Sequence, residues 1–332
     1  MIDILCIGDA VVDIFLQIPK DNPHFGLDKE KNKLFIDYGY KINLENYVKD
    51  IGGNACNTAV GISRLGKSVG LCAEIGKDEF SQLIVNKLEN ENINTNFISQ
   101  NQSKKTSFSV SLNYKGERTL LVEHVQRPHL FNIDTTSARF IYLTSLGNIW
   151  ENAYQNTLDF IKSSHSLLAF NPGTLQINNK DNLIMEIIRN TDYLFLNKQE
   201  AEKLLYGKEA LVSDKSKTSI KKLLFALKSS GAKNVILTDS YNGSYVQDEI
   251  NNIYHLEIVK VEVIEKTGAG DAYTAGFIGA ILNNQSIPDA MRWGAVNDSS
   301  VVRKIGAQDG LLKKSDIIEK LSSLTHFKPL LI

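Results

Sequence analysis

Short apolar runs alternate with amphipathic stretches along most of the chain. The apolar runs, rich in β-branched residues, predict strands at 2–8, 68–76, 139–145, 167–171, 192–197 and 234–239. Between them, apolar residues recur at helical spacing and predict helices at 78–92, 152–164, 199–205 and 219–231. A chain that alternates strands with helices in this way is expected to be an α/β protein with a mostly parallel sheet covered by helices.

Two segments break this alternation. Residues 13–45 and 106–124 alternate apolar with polar positions, and the second contains a hairpin-turn sequence, Asn-Tyr-Lys-Gly-Glu-Arg. This pattern is typical of an antiparallel sheet with one exposed face. We expect the two segments to form a small β-sheet lid on the larger domain. No linker divides the sequence, so residues 1–332 are predicted to form a single domain, closed by a helix at 289–307.

Composition excludes several classes of function. Of the 332 residues, 42% are hydrophobic, enough for a sizeable core. The 37 basic and 38 acidic residues give a net charge of -1, and no basic block is available to bind nucleic acid or an anionic membrane. The three cysteines are scattered, and we find neither a signal-peptide pattern nor an apolar run long enough to span a membrane. We therefore expect a soluble, cytoplasmic protein whose partner is a small molecule.

The segment Thr267-Gly268-Ala269-Gly270-Asp271 begins a predicted helix. Its glycines allow successive backbone N–H groups to point at one anion, and the positive end of the helix dipole adds to the attraction. Asp271 should stay ionised beside that dipole and can accept a proton from a hydroxyl group as its oxygen attacks. The segment therefore predicts a phosphoryl site with its general base. The alternative is an ordinary tight turn in which Asp271 only caps the helix.

A second glycine pair, Gly52-Gly53, precedes a helical stretch whose first turns carry Asn54 and Asn57. Side-chain amides both donate and accept hydrogen bonds, which suits a ligand with several hydroxyl groups. A simple turn capped by Asn54 is the alternative. Residues 61–68 match the phosphate-loop pattern GxxxxGK[ST], but they follow a predicted helix and precede a strand, the reverse of the order that such a loop requires. We assign no phosphate site to them.

Together these segments resemble the two signatures of the ribokinase-like (PfkB) family of carbohydrate kinases. Residues 52–59 match the amino-terminal signature (Gly-Gly-x-x-x-Asn-x-Ala) and residues 267–271 the carboxy-terminal one (Thr-Gly-Ala-Gly-Asp). Residues 76–80, 115–119 and 196–204 resemble the family's Gly-x-Asp, lid-hairpin and Asn-x-x-Glu segments, so the resemblance covers nearly the whole chain. It implies a three-layer α/β/α domain with a β lid. It also implies transfer of the γ-phosphoryl group of ATP, with Mg²⁺, to a primary hydroxyl of a sugar or nucleoside.

The resemblance implies a role for each matching residue. Asp271 is the expected general base, and the expected anion hole consists of Gly268, Ala269 and Gly270. The expected acceptor-binding residues are Asp13, Gly52, Gly53 and Asn57, with Asp9 as an alternative to Asp13. The expected nucleotide-binding residues are Asn197, Thr238, Gly243, Gly268, Gly270 and Asn297. The expected Mg²⁺ ligands, acting through water, are Asn197 and Glu200, whose spacing is also that of an ordinary capping box.

Some features leave alternatives open. Glu265 and Lys266 replace the Asp-Thr pair that the family commonly has at this point. Some members bind a monovalent cation nearby, and the sequence leaves open whether this chain uses such a cation as a further cofactor. The predicted lid contains the aromatic residues Phe15, Phe25, Phe35, Tyr38 and Tyr40. These rings either stack on a purine or form the core of the small sheet. We favour a sugar kinase, with a nucleoside kinase or a non-catalytic sensor as alternatives, and we expect a homodimer joined through the lid.

Overall fold

The computed structural model describes residues 2–129, 131, 133, 137–179, 181–207 and 219–332. In chain order, the strands are β1 (Ile2–Ile7), β2 (Val11–Gln17), β3 (Phe25–Asp28), β4 (Lys33–Ile36), β5 (Asn46–Gly52), β6 (Val69–Ile75), β7 (Ile93–Asn94), β8 (Ile98–Gln100), β9 (Phe108–Tyr114), β10 (Glu117–Glu123), β11 (Ala138–Thr144), β12 (Leu167–Asn171), β13 (Tyr193–Asn197), β14 (Asn234–Thr238), β15 (Ser244–Gln247), β16 (Ile253–Leu256) and β17 (Leu330–Leu331). The helices are α1 (Asn54–Arg64), α2 (Glu79–Asn90), α3 (Glu151–Ser163), α4 (Thr174–Asn179), α5 (Asn182–Arg189), α6 (Lys198–Tyr206), α7 (Ile220–Ser229), α8 (Ala269–Leu282), α9 (Ile287–Val301) and α10 (Lys314–Ser323).

The larger sheet has the strand order β17-β16-β15-β14-β13-β12-β11-β1-β6-β7, with β8 also paired to β6. From β14 to β7 in this order the strands pair in parallel. The six predicted strands all lie in this parallel part, so the predicted α/β class is confirmed. Strands β15, β16 and β17 extend the sheet by antiparallel pairing, which the sequence analysis did not predict.

The sheet separates two apolar cores. Successive side chains of a strand point to opposite faces, and in β1 the residues Ile4 and Cys6 join one core while Leu5 and Ile7 join the other. Helices α1, α8, α9 and α10 contribute to the first core, and helices α3, α5, α6 and α7 to the second. The sheet is therefore the middle layer of an α/β/α arrangement, as predicted.

Helix α8 is buried on nearly all sides, and small residues allow its neighbours to approach it closely. A Cβ atom on Gly276 would lie 2.7 Å from the carbonyl oxygen of Trp293 in α9. A Cβ atom on Gly279 would lie 2.3 Å from the side chain of Leu65, which follows α1. This close packing fixes the first turn of α8, where Asp271 lies.

A second sheet, called the small sheet below, has the order β10-β9-β2-β5 and draws on both predicted lid segments. Strands β9 and β10 form an antiparallel hairpin, as predicted. Strand β2 pairs antiparallel with β5, which lies outside the predicted lid segments, whereas β2 and β9 pair in parallel. These two strands come from separate segments, so no tight turn forces them to be antiparallel. Strands β3 and β4 form a two-stranded sheet of their own.

The predicted carboxy-terminal helix at 289–307 is shorter than expected, because α9 ends at Val301 and residues 302–307 are not helical. Gly306 there has a φ of 91°, which is incompatible with a continuing right-handed helix. Within the described ranges, no helix is both long and apolar enough to cross a lipid bilayer.

Candidate active site

A cavity of about 850 Å³ opens at the carboxyl edge of the parallel strands. Residues at the ends of these strands line it: Asp9 follows β1, Ser145 follows β11, Asn171 ends β12 and Thr238 ends β14. Ligands of open parallel sheets bind at this edge, because the loops there diverge and leave a crevice. Strands β2, β9 and β10 of the small sheet also contribute side chains to the cavity.

The loop before α8 has the geometry of an anion site. Gly268 has a φ of 77°, in the left-handed region that favours glycine, and a Cβ atom there would lie 2.5 Å from that of Ala307. At Gly270 a Cβ atom would meet nothing within 4 Å, so the missing side chain leaves open space on the cavity wall. Among the described residues, the backbone N–H groups of Gly270 and Asp271 have no hydrogen-bond partner, as is usual in the first turn of a helix. These features suit a phosphoryl group.

The carboxyl group of Asp271 lies beside this loop, and the residue is only 8% exposed. Asn57 Nδ2 donates a hydrogen bond of 2.8 Å to Asp271 Oδ2. Burial raises the pKa of Asp271 to about 7; the hydrogen bond from Asn57 lowers the pKa, and the carboxylates of Glu200 and Asp13 raise it. Burial thus opposes the ionisation of Asp271 that the helix dipole was expected to favour, and the ionised state of Asp271 stays a prediction. A carboxyl group that titrates near neutral pH is well suited to general base catalysis.

Asp13 on β2 lies in the same cavity. Ser109 on β9 donates a hydrogen bond to Asp13 Oδ1, and burial is the main cause that raises the pKa of Asp13. Gly52 does not line the cavity but makes room for this carboxyl group, since a Cβ atom on Gly52 would lie 1.9 Å from Asp13 Oδ2. Gly53 lines the cavity with a φ of 96°, and a Cβ atom on it would lie 2.3 Å from the carbonyl oxygen of Asp9.

Asp9, the alternative acceptor-binding residue, also lines the cavity. Burial raises the pKa of Asp9 to about 7, while the positive charge of Arg127 lowers it. The structure therefore brings both aspartates, together with Asn57, to the end of the cavity that the small sheet covers. Carboxylate and amide groups placed in this way can bind several hydroxyl groups of one ligand.

Asn197 and Glu200 have the helix-capping role that the sequence left as one alternative, at the wall of the cavity. They form a capping box, in which Asn197 Oδ1 accepts from the Glu200 N–H at 2.9 Å and Glu200 Oε2 accepts from the Asn197 N–H at 2.8 Å. Both also line the cavity. The described residues contain no cluster of three or more acidic, His or Cys side chains that could hold a metal ion. A Mg²⁺ ion at this place would therefore keep water ligands, as Mg²⁺ prefers.

Thr238 and Lys266 line the same cavity beyond the anion loop. Lys266 Nζ lies 5.1 Å above the centre of the Tyr241 ring and 3.2 Å from its hydroxyl group. The contact with Tyr241 holds the positive charge of Lys266 on the wall of the cavity that the anion loop also lines. Phosphate groups of a nucleotide would be attracted to that charge.

Two predicted nucleotide-binding residues, both described in the structure, are not brought to the cavity. Asn297 is fully buried; its Nδ2 donates to the carbonyl oxygen of Ala272 at 2.8 Å, and its Oδ1 accepts from the N–H of Leu312 at 2.9 Å. Gly243, with a φ of 80°, follows a tight turn, and a Cβ atom on it would lie 2.0 Å from the carbonyl oxygen of Leu256. Both residues therefore position backbone segments around the site.

Arg118 on β10 extends from the small sheet to the anion loop. Its Nη1 lies 3.5 Å from Glu265 Oε1 and also donates a hydrogen bond to Thr267 Oγ1. Glu265 is 9% exposed, accepts a hydrogen bond from the Thr267 hydroxyl group and accepts a second, of 2.8 Å, from the N–H of Gly306. The guanidinium group of Arg118 thus lies next to Glu265. This is the region for which the sequence left the binding of a monovalent cation undecided.

The aromatic residues of the predicted lid divide into two groups. Phe15 is buried, and Phe25 packs against Tyr114 with ring centres 5.4 Å apart. By contrast, Phe35 is 53% exposed and Tyr38 is 96% exposed, and neither lines the cavity. The rings of Phe35 and Tyr38 therefore lie neither in the core of the small sheet nor on the wall of the cavity.

Among the cavity residues that the sequence analysis did not single out, Asn171 and Arg118 are two with polar contacts to the site. Asn171 ends β12, donates from Nδ2 to the carbonyl oxygen of Phe195 at 2.8 Å, and lines the cavity. Its position at the carboxyl end of a predicted parallel strand was a usable signal. Arg118 gave no comparable signal, because its contact with Glu265 joins positions that are 147 residues apart in the chain.

An anion loop at a helix N-terminus, a buried carboxyl group beside it and a polar acceptor end define a phosphotransferase of the small-molecule kinase class. The sequence profile of the pfkB family carbohydrate kinases matches residues 1–314. The chain therefore belongs to this family and is an ATP-dependent kinase of the carbohydrate-kinase type.

Individual relatives differ in the acceptor that their names give. The chain is 28% identical over 301 residues to a ribokinase from Haemophilus influenzae, covering 86% of this chain and 92% of the relative. It is 25% identical over 296 residues to a 5-dehydro-2-deoxygluconokinase from Clostridium botulinum, covering 83% and 85%. The crystal structure of the Methanocaldococcus jannaschii nucleoside kinase, an archaeal member of the ribokinase family, has a similar fold, with a TM-score of 0.76 and 24% identity over 97% of this chain and 99% of that one. These similarities leave the acceptor open.

Proposed function

We propose that the chain transfers the γ-phosphoryl group of ATP to a primary hydroxyl group of a sugar, with Asp271 as the general base. One observation carries this proposal: the carboxyl group of Asp271 and the open, N–H-lined space at Gly270 lie in the same helical turn. A hydroxyl group bound there is in reach of a base and of the phosphoryl group that it attacks. Such positioning supplies much of the catalysis in phosphoryl transfer.

Each part of the site has one task in this reaction. Asp271 takes the proton of the attacking hydroxyl group, and the N–H groups of Gly270 and Asp271 stabilise the negative charge that develops on the phosphoryl oxygens. Asp13 and Asn57 orient the acceptor. A Mg²⁺ ion, held through water by Asn197 and Glu200, would neutralise charge on the phosphates.

A sugar fits the acceptor end better than a nucleoside does. Hydroxyl-binding side chains are concentrated there, namely Asp9, Asp13, Asn54 and Asn57. The exposed rings of Phe35 and Tyr38, which the nucleoside alternative would use to stack on a base, lie outside the cavity. A simple sugar offers hydroxyl groups to the first set and needs no aromatic platform.

A coupled ADP-release assay tests this proposal. The panel contains neutral aldoses and ketoses, sugar acids, sugar phosphates and the nucleosides adenosine, inosine and cytidine, each with ATP and Mg²⁺. We expect the highest kcat/KM with a sugar, and ³¹P NMR should place the product phosphate on a primary carbon. A nucleoside with the highest kcat/KM would support the alternative kinase, and binding without turnover of any compound would support a sensor.

We also infer a homodimer joined through the small sheet. Strand β10 is the edge of this sheet, and all its residues are exposed, including Leu120, Leu121 and Val122. An unprotected apolar edge strand tends to pair with another chain. Two copies of β10 related by a two-fold axis would cover each other's edge.

A further inference from the structure

Gln308 lies in the loop between α9 and α10 and is fully buried. Its Nε2 donates a hydrogen bond of 3.0 Å to Asn57 Oδ1. The same Asn57 donates from Nδ2 to Asp271 Oδ2 at 2.8 Å. Three side chains that are far apart in sequence therefore form one chain of hydrogen bonds, directed from Gln308 to the carboxyl group of Asp271.

The direction of this hydrogen-bond chain determines which form of Asp271 it stabilises. An amide side chain presents a carbonyl oxygen on one side and an NH₂ group on the other. Because Gln308 donates, Asn57 presents its oxygen to Gln308 and its NH₂ group to Asp271. A hydrogen bond donated to a carboxylate favours the ionised form. If Gln308 accepted instead, the Asn57 oxygen would face Asp271, and that contact would require a protonated acid.

Arg64 anchors the backbone at Gln308. Arg64 Nη1 donates to the backbone carbonyl oxygens of Gln308 at 2.7 Å and Leu311 at 3.0 Å, and Arg64 is itself paired with Glu91 at 2.5 Å. Among the described residues, no donor contacts the Oε1 atom of Gln308, so the bond from its Nε2 to Asn57 is the polar contact of this side chain. Rotation of the Gln308 amide by 180° would set its oxygen against the oxygen of Asn57 and break that bond. A matching rotation of Asn57 would turn the Asn57 oxygen toward the Asp271 carboxylate and lose the second bond.

We propose that Gln308 is a positioning residue for phosphoryl transfer: it orients the Asn57 amide so that the NH₂ group faces Asp271 and stabilises the carboxylate form. The inference rests on the proposed role of Asp271 as the base. Gln308 does not line the cavity, so it acts through Asn57 rather than on a ligand.

The other groups around Asp271 make this support necessary. Burial and the carboxylates of Glu200 on α6 and Asp13 on β2 all oppose ionisation of Asp271. The remaining titratable groups that interact with it are Cys56 on α1 and Tyr142 on β11, both with a pKa raised by burial and therefore neutral at physiological pH. Among the described residues, the Asn57 amide is thus the contact that offsets these effects.

Two substitutions separate the donor from the shape of the side chain. Gln308→Met keeps the length of the side chain and removes the donor. We expect the acid limb of the pH profile of kcat/KM to shift to higher pH by about one unit, which is the effect of weakening one hydrogen bond to a charged group. Below the limb this shift is a rate loss of about tenfold, and at alkaline pH the rate recovers. Gln308→Glu supplies an acceptor, reverses the Asn57 amide and should move the limb further. Gln247→Met is the matched control, because Gln247 is also fully buried with an unpaired Oε1 but donates to Asn251 rather than to Asn57.

A second measurement reads the base directly. In protein labelled with [¹³C]aspartate, the carboxyl resonance that disappears in Asp271→Asn belongs to Asp271, and its titration should move to higher pH in Gln308→Met and stay unchanged in Gln247→Met. An unmoved titration and an unmoved acid limb in both Gln308 variants would overturn the inference. The proposed function fails separately, if Asp271→Asn keeps wild-type turnover whatever the Gln308 variants do.

Discussion

Replacing Asp271 by Asn tests both the chemistry and the electrostatics of the site. Asn is nearly isosteric with Asp, and its Oδ1 can still accept the hydrogen bond from Asn57 that Asp271 accepts at 2.8 Å. The substitution therefore removes the proton-accepting carboxylate while the packing of α8 stays the same. A hydroxyl group must lose its proton as it attacks, so kcat should fall by at least about 10²-fold, within the usual range for a general base.

The same substitution should stabilise the protein, and by an amount that depends on pH. Burial raises the pKa of Asp271 from 3.8 to about 7. Below pH 3.8 the carboxyl group is protonated in the folded and unfolded states alike, so it costs nothing. As the pH rises to about 7, the unfolded state ionises while the folded state keeps its proton, and folding loses about 1.4 kcal/mol per pH unit. Over about three units this loss reaches at most about 4 kcal/mol, and it is constant at higher pH.

Urea denaturation of the wild type and of Asp271→Asn at pH 5 and pH 8 measures this difference. The variant, which does not titrate at this position, should be the more stable of the two at pH 8. The gap in the free energy of unfolding should widen by about 2 to 3 kcal/mol between the two pH values. In parallel, kcat/KM of the wild type should rise with pH through about 7, because the base must be ionised, and the residual rate of the variant should lack this limb.

Two results would refute the reasoning at different points. A stability gap that does not change with pH would mean that the pKa of Asp271 is not raised by burial. A variant that keeps most of the wild-type turnover would remove Asp271 from the mechanism, even if the stability gap behaves as expected.

Three further substitutions test other parts of the site. Gly270→Ala should leave the melting temperature unchanged, since its Cβ atom meets nothing within 4 Å. It should lower kcat at least about tenfold, because the added methyl group fills the space proposed for the phosphoryl group. An unchanged kcat would mean that the phosphoryl group does not bind at Gly270. Glu200→Gln keeps an oxygen for the helix cap but loses the charge, so the Mg²⁺ concentration at half-saturation should rise. The control Asp316→Asn, in the first turn of α10, should not change that concentration. An unchanged Mg²⁺ titration in Glu200→Gln would exclude a metal role for Glu200. Leu121→Lys should make the protein sediment as a monomer, whereas the control Ile250→Lys, at another exposed apolar residue, should not. A wild-type protein that sediments as a monomer would refute the dimer.

The parallel part of the fold was predictable because its strands are buried on both faces. Such strands are continuous apolar runs, for example Leu167–Asn171 and Asn234–Thr238, and these are easy to recognise. The antiparallel extension was missed because β15 and β16 are only four residues long, too short for a clear period. Strand β2 was assigned to the small sheet, but its parallel pairing with β9 depends on tertiary contacts that no local pattern encodes.

The site was predictable where its chemistry is local. Gly268, Gly270 and Asp271 lie within four positions, and backbone conformation alone brings their donors and carboxyl group together. Asn297 shows the limit of this approach. Its place in a helix was predicted, but the rotation of that helix directs the amide into the core, where it binds the backbone of Ala272. That rotation is set by packing against α8, which the sequence of α9 does not specify by itself.

The hydrogen bond between Asn57 and Asp271 changes what the two sequence signatures mean. Each signature predicted a separate task, acceptor binding for the amino-terminal one and phosphoryl transfer for the carboxy-terminal one. Yet Asn57 Nδ2 contacts the proposed base across 214 positions of sequence, and Asn57 Oδ1 is occupied by Gln308. Only one N–H of the Asn57 amide is left for an acceptor hydroxyl group. We therefore expect Asn57 to couple acceptor binding to the protonation of Asp271, because an acceptor that draws on this amide would also alter the donor that stabilises the carboxylate.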